Sequence, residues 1–165
     1  EQALAVRRRV LGEEHPDTLT SMNNLAAALW AQGDLAGARA LEEQALAVRR
    51  RVLGEEHPDT LTSMNNLAAA LWAQGDLAGA RALEEQALAV RRRVLGEEHP
   101  DTSISAWNLF ATLHQAEDTE AASAVLGEHL LWLAERDPAG LGADQRKIRG
   151  FVRKRAGLDD GESSS

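Results

Sequence analysis

Apolar side chains over residues 58–74 recur at Leu61, Met64, Leu67, Ala68 and Leu71, and this three-and-four spacing predicts an amphipathic helix. Pro58 fits its first turn, where no N–H is required, and Asp59 places negative charge at the positive end of the helix dipole. Gly75 ends the helix, and Asp76 is a fitting N-cap for a second one. That second helix carries Leu77, Ala80, Leu83, Ala87, Leu88, Val90, Val94 and Leu95 and stops at Gly96. Arg91, Arg92 and Arg93 fall in its last turns, where cations suit the dipole. No alternating pattern of a strand competes with this reading.

The helical pair returns with a fixed period, since residues 1–60 reappear without substitution as residues 43–102, a spacing of 42. Such a period implies that each unit is one supersecondary element that cannot bury its apolar face alone and must stack on its neighbours. Complete units are expected over 15–56 and 57–98. Residues 1–14 read as the second helix of a truncated repeat, so Leu4, Val6, Val10 and Leu11 are expected to lack an upstream partner in a fragment of a longer array. After Thr102 the pattern decays: Asn65 becomes Trp107, Ala68 becomes Phe110, Trp72 becomes His114 and Gly75 becomes Glu117. Decay suits a terminal repeat whose outer face meets water. A degenerate unit is expected over 99–136, its second helix spanning 119–136. A linker with the breaker DPAGLG and a capping helix near 143–156 complete 137–158. In that helix Ile148, Phe151 and Val152 share one face. Residues 159–165 have nothing to bury and are expected to be disordered.

Met64, Leu67, Ala68, Leu71, Gly75, Leu77, Ala80 and Ala87, framed by HPDT at the start of the unit and VLGEEHPDT at its end, resemble the tetratricopeptide repeat in its 42-residue, kinesin-light-chain-like form. The same set stands at Met22, Leu25, Ala26, Leu29, Gly33, Leu35, Ala38 and Ala45. The resemblance implies an all-α fold, a right-handed α-solenoid (a TPR superhelix) of antiparallel helix pairs with a C-terminal capping helix. It covers residues 1–116 strongly and 117–136 weakly. One departure is clear: Glu84, like Glu42, stands where the family places a large apolar residue, with Leu83 as the expected substitute. Similar arrays end bacterial signalling ATPases of the STAND class as partner-binding arms, and the resemblance extends to that setting.

Placing the first helix at 100° per residue separates the apolar arc from a polar one of Thr62, Asn65, Asn66, Ala69 and Ala73, with Trp72 at the border. In tetratricopeptide proteins this second arc lines the concave groove. By resemblance Thr20, Asn23, Asn24, Ala27 and Trp30 form its upstream copy, and Ile104, Trp107, Asn108, Ala111 and His114 its altered downstream version. A row of carboxamides can hydrogen-bond the backbone of an extended peptide while indoles pack its side chains. A floor without lysine or arginine is a poor clamp for a carboxylate or phosphate. The bland alternative stays open: asparagines that solvate or tie adjacent helices together, and a tryptophan packed at the seam.

Charge and composition narrow the function classes. The net charge of −8 disfavours nucleic acid as a partner, and four arginines against six acids within residues 43–84 spread that acidity along the array. The arginine triplets lie beside Glu13, Glu14 and Asp17 or Glu55, Glu56 and Asp59 and are expected to be solvated and ion-paired. The capping helix, with Arg146, Lys147, Arg149, Arg153, Lys154 and Arg155, is a weak basic patch. There is no cysteine, hence no thiolate chemistry. His15, His57 and His99 each precede a proline at repeat spacing, and His114 and His129 lack a metal-motif carboxylate. No enzyme activity, cofactor or metal is expected. No signal peptide or membrane-spanning run appears, and a cytoplasmic location follows as the expectation. The expected function is a scaffold that binds a protein or peptide along the groove. Its rival is a homo-oligomer joined end to end through the exposed N-terminal helix, or by helix exchange between identical repeats.

Overall fold

Each His-Pro-Asp triplet starts a helix, and the histidine is its cap. In the computed structural model, which describes residues 2–158, the Nδ1 atoms of His15, His57 and His99 each accept the backbone N–H of the aspartate two residues on at 3.1 Å. Eight α-helices follow in chain order among the described residues: α1 (Gln2–Leu11), α2 (Pro16–Ala31), α3 (Leu35–Leu53), α4 (Pro58–Ala73), α5 (Leu77–Leu95), α6 (Pro100–Gln115), α7 (Thr119–His129) and α8 (Ala143–Arg155). Asp34 and Asp76 cap α3 and α5 through the N–H groups of Gly37 and Gly79, at 2.9 and 3.0 Å. The tail expected to be disordered lies outside the described residues.

The chain divides into two units, Glu1–Ala87 and Leu88–Ser165. In the first, α1 packs on α2, α2 on α3 and α3 on α4. Leu4, Leu19, Met22 and Ala45 form one core cluster, edged by Leu25, Leu41 and Val48. Ala38, Ala45 and Ala80 are buried to within a percent, which lets helix backbones approach closely at alanine. Leu4 is buried although the sequence suggests no upstream partner for it.

The expectation of solvated arginines needs correction. Arg49 and Arg91 are buried. Arg49 donates to Ser63 and, at 3.2 Å, to Asn23 Oδ1, while Arg91 donates to Ser105. A buried serine fourteen residues on supplies an acceptor across the helix interface, so the first arginine of the triplet turns inward in α3 and α5, whereas Arg7 of α1 donates to Ser21 and stays exposed. The second and third behave as expected: Arg50 pairs with Glu55 at 3.0 Å, Arg92 with Glu97 at 2.6 Å and Arg51 with Glu14 at 2.6 Å. Burial pulls the Arg91 guanidinium below its ordinary value, against the opposing pull of Asp101.

In the second unit α7 stops at His129, short of the predicted 136, and Leu131–Glu135 forms a 3₁₀ turn. The Trp132 indole N–H donates to the His129 carbonyl at 2.9 Å, and the His129 ring meets Glu97 at 2.7 Å. These bonds satisfy the helix end and turn the chain away. The breaker holds a second 3₁₀ turn, Pro138–Gly140. Helix α8 then packs on α6, burying Ile148 and Val152 with Leu109 and Leu113. Its cations are partly structural: Arg149 and Arg153 donate to the carbonyls of Arg136 and Ala134, each at 2.9 Å.

Two stability predictions follow from particular positions. Gly75 has φ of +80°, and the equivalent Glu117 is held at +60° without a glycine's freedom. Gly75→Ala should cost about 1 kcal/mol, whereas Glu117→Gly should be neutral or stabilising by up to about 1 kcal/mol. Denaturant midpoints measure both, and a stabilising Gly75→Ala would contradict the assignment.

Burial alone would raise the Glu97 carboxyl, but hydrogen bonds from Arg92 and His129 outweigh it and leave the group below its ordinary value. A lowered folded-state pKa means that the stabilisation is present above the unfolded value and is lost as pH falls through the folded one. Glu97→Gln should therefore cost on the order of 1 kcal/mol at neutral pH, after discounting for partial exposure, with the difference closing on acidification below about pH 4. Parallel stability curves for the two proteins from neutral to acid would refute this.

Candidate peptide-binding groove

The polar arc of α2 begins one turn inside its cap, where Thr20 spends its hydroxyl on the Pro16 carbonyl at 3.0 Å, as Thr62 does on Pro58. Both threonines and Asn24 are exposed, and Asn23, Asn65 and Asn66 are half-buried. Trp30 and Trp72 are 39% and 43% exposed, so their rings are not absorbed by the core. Asn65 Oδ1 is buried without a hydrogen-bond partner.

Within the first unit, α2, α3 and α4 enclose a recess of about 320 Å³. Asn23, Ala27, Trp30, Asn66 and Ala69 line it from the arcs read in the sequence, joined by Ala26 and Ala70. Two further residues come from α3, Ala38 and Glu42. The sequence reading confined the groove to first helices and missed both. A signal existed, because Glu42 is the residue that departs from the repeat pattern.

Glu42 is only 6% exposed. Leu41 packs at the edge of the core but does not displace it, and the same arrangement of residue types recurs at Leu83 and the buried Glu84. The expectation that the neighbouring leucine takes over the inward position is therefore corrected: on a helix an adjacent residue points 100° away. Asn66 hydrogen-bonds the Glu42 carboxylate, and Arg49 adds a favourable charge. Its Oε2 is buried with no hydrogen-bond partner. Burial nonetheless dominates and pushes the carboxyl above its ordinary value, against Arg49 and Asn66. Asn23 is fixed from the same side, its Oδ1 accepting from Arg49, so its amino group remains available to a ligand.

The downstream arc is built differently. Trp107 stands 5.3 Å from Phe110 and 4.9 Å from Phe151 of α8, ring centre to ring centre, and Phe110 stacks on His114 at 5.9 Å. Asn108 is half-buried. Here rings occupy the face that alanine and asparagine leave open in the first unit. Among the described residues no group of three or more histidine, cysteine or acidic side chains is placed to hold a metal ion. Among the same residues no helix is long and apolar enough to cross a membrane.

The raised Glu42 carboxyl carries a stability prediction. A raised folded-state pKa means that the fold favours the neutral acid, a contribution complete below the unfolded value and lost as pH rises through the folded one. The fold thus disfavours the charged form, and Glu42→Gln should raise the melting temperature at neutral pH, with the gain vanishing near pH 4. A variant that melts lower than the parent at neutral pH would refute this.

Comparison with known proteins agrees with the architecture. The tetratricopeptide repeat pattern matches residues 1–17, 18–59 and 60–101. No curated protein matches the chain. Among solved structures, a kinesin-light-chain-like protein of Podosopora anserina with nearly identical TPR-like repeats superposes with a TM-score of 0.77 at 28% identity, covering 94% of this chain and 75% of that one. A point variant of it gives 0.79 at 28%, with 94% and 74% covered. BtubC (BKLC) from P. vanneervenii shares the fold, with a TM-score of 0.70 at 23% identity over 99% of this chain and 58% of that one. Helices packed in chain order, an all-α composition and a family pattern that accounts for residues 1–101 lead to one conclusion: the chain belongs to the tetratricopeptide repeat family.

Proposed function

We propose that this chain is a non-catalytic, cytoplasmic interaction scaffold that binds an extended peptide or protein segment along the polar arcs of its first helices. Protein binding is the general role of tetratricopeptide repeats. The recess between α2, α3 and α4 carries the finer reading, since it gathers Asn23, Trp30 and Asn66 around open space. Carboxamides can pair with the backbone of an extended segment, and the exposed indole can cover its side chains. The histidines that begin three helices serve as caps, which accounts for their spacing without a catalytic role.

End-to-end self-association is the weaker reading. Leu11 is 41% exposed, but Leu53 and Leu95 at the equivalent positions are 39% and 40% exposed. The exposed leucine at the end of α1 thus recurs in α3 and α5, whereas Val6, 51% exposed, is open where the equivalent Val48 and Val90 are half-buried. Light scattering over a concentration series separates the two readings, with a monomer expected throughout.

The binding test uses the full chain to select peptides from a displayed random library. The double variant Asn23→Ala, Asn66→Ala should then bind the selected peptides at least about tenfold more weakly, the worth of one or two hydrogen bonds, at little change in melting temperature. Undiminished affinity in that variant, or failure to select any peptide, would remove the groove assignment.

A further inference from the structure

The recess has a polar floor, hydrocarbon walls and an aromatic mouth. At the floor, Glu42 sits among the inward positions of α3, between Ala38 and Ala45, and is buried with them. One face of its carboxylate meets Asn66, while Oε2 is buried with no hydrogen-bond partner. Arg49 does not fill that place, because its hydrogen bonds go to Asn23 and Ser63. The walls include Ala38 and Ala69, and Trp30 lies at the exposed side. A buried acceptor without a partner beside a small apolar slot lacks one component, a donor at the tip of a long hydrocarbon stem.

We propose that this recess receives a lysine side chain of the bound peptide, with its ammonium donating to Glu42 Oε2 and its methylenes lying between the alanine walls and the Trp30 indole. The proposal rests on the peptide-groove reading above and specifies the chemistry of one subsite within it. Charge complementarity selects the occupant: a buried carboxylate oxygen accepts from a cation more strongly than from a neutral donor. The aromatic mouth favours the same choice through attraction between an indole face and a cation. Lysine fits better than arginine because a single unpartnered oxygen matches a compact ammonium. The five N–H groups of a guanidinium would leave several donors unpaired between alanines. Norleucine supplies the stem without the donor and is the natural control.

The test titrates the isotope-labelled full chain with blocked alanine-glycine decapeptides that carry lysine or norleucine at the centre. Affinity is followed at the Trp30 indole N–H and the Asn23 side-chain amide, so that the second copy of the repeat sequence does not enter the reading. The lysine peptide should bind about tenfold more tightly than its norleucine twin, the effect of one charge-assisted hydrogen bond. That preference should fall to near unity in Glu42→Gln and in Glu42→Leu, with both variants shown to be folded by their spectra. Equal binding of the two peptides at Trp30 and Asn23 would overturn the lysine slot while leaving the groove in place. Preference for lysine that survives both Glu42 substitutions would also overturn it. Absence of any shift at Trp30 and Asn23 with either peptide would remove the slot together with the groove reading.

Discussion

No helix in this chain can bury its apolar face within its own repeat. In the first unit α2 shares a wall with α1 and α3, and α3 with α2 and α4, and the small volume of alanine at the crossings makes that sharing close. Ala38, Ala45 and Ala80 are almost wholly inaccessible, while leucine and methionine fill the spaces around them. Burial of large side chains such as Met22 and Met64 is worth roughly 1.5–3 kcal/mol each, so consecutive packing supplies the main stabilisation. Everything polar in the structure is arranged around that requirement. Caps close the helix starts, glycines in the left-handed region close several ends, and the charged residues are distributed over what remains.

The buried arginines show how the same constraint handles charge. Arg49 and Arg91 lie at inward positions of their helices, where an ammonium or guanidinium is costly unless its donors are met. Ser63 and Ser105 meet them across the interface, with Asn23 joining at Arg49. A serine is small enough to let two helices approach and still offers an acceptor. These bonds therefore link one second helix to the next first helix by geometry as well as by apolar area. The hydrogen bonds from Arg8 to Gln44 and from Arg50 to Gln86, at 2.8 and 3.0 Å, tie successive second helices on the exposed side.

Much of this was legible before any coordinates, and for a physical reason: periodicity at 3.6 and at 42 residues reports on what must be buried together. The helix starts at Pro16, Pro58 and Pro100, the stops near Gly33 and Gly75, and the α8 face of Ile148 and Val152 all follow from that signal. Histidine as cap was not legible, because proline and aspartate already explained the helix start and no pattern distinguished Nδ1 as an acceptor. The early end of α7 was hidden too, since it depends on Trp132 and Glu97 reaching His129 from elsewhere in the chain. For the groove, Asn23, Trp30 and Asn66 were readable from the arc of the first helices. Glu42 was not assigned to it, because an acid between apolar positions reads locally as an exception and gains meaning only when three helices converge on it.

The two units also show that side-chain volume decides whether the arc is open. In the first unit Ala26, Ala27, Ala69 and Ala70 surround empty space. At the position 42 residues after Ala68, and 84 after Ala26, the chain has Phe110, and Trp107 replaces Asn65. These rings meet each other and Phe151, closing with aromatic contacts what alanine leaves vacant. An apolar surface of that size would be unfavourable in water, whereas a recess with a buried carboxylate at its base is unfavourable for a different reason, the cost of an unmet acceptor. The first cost is removed within the chain by α8. The second persists in the unliganded protein, and a partner that brings a donor would remove it.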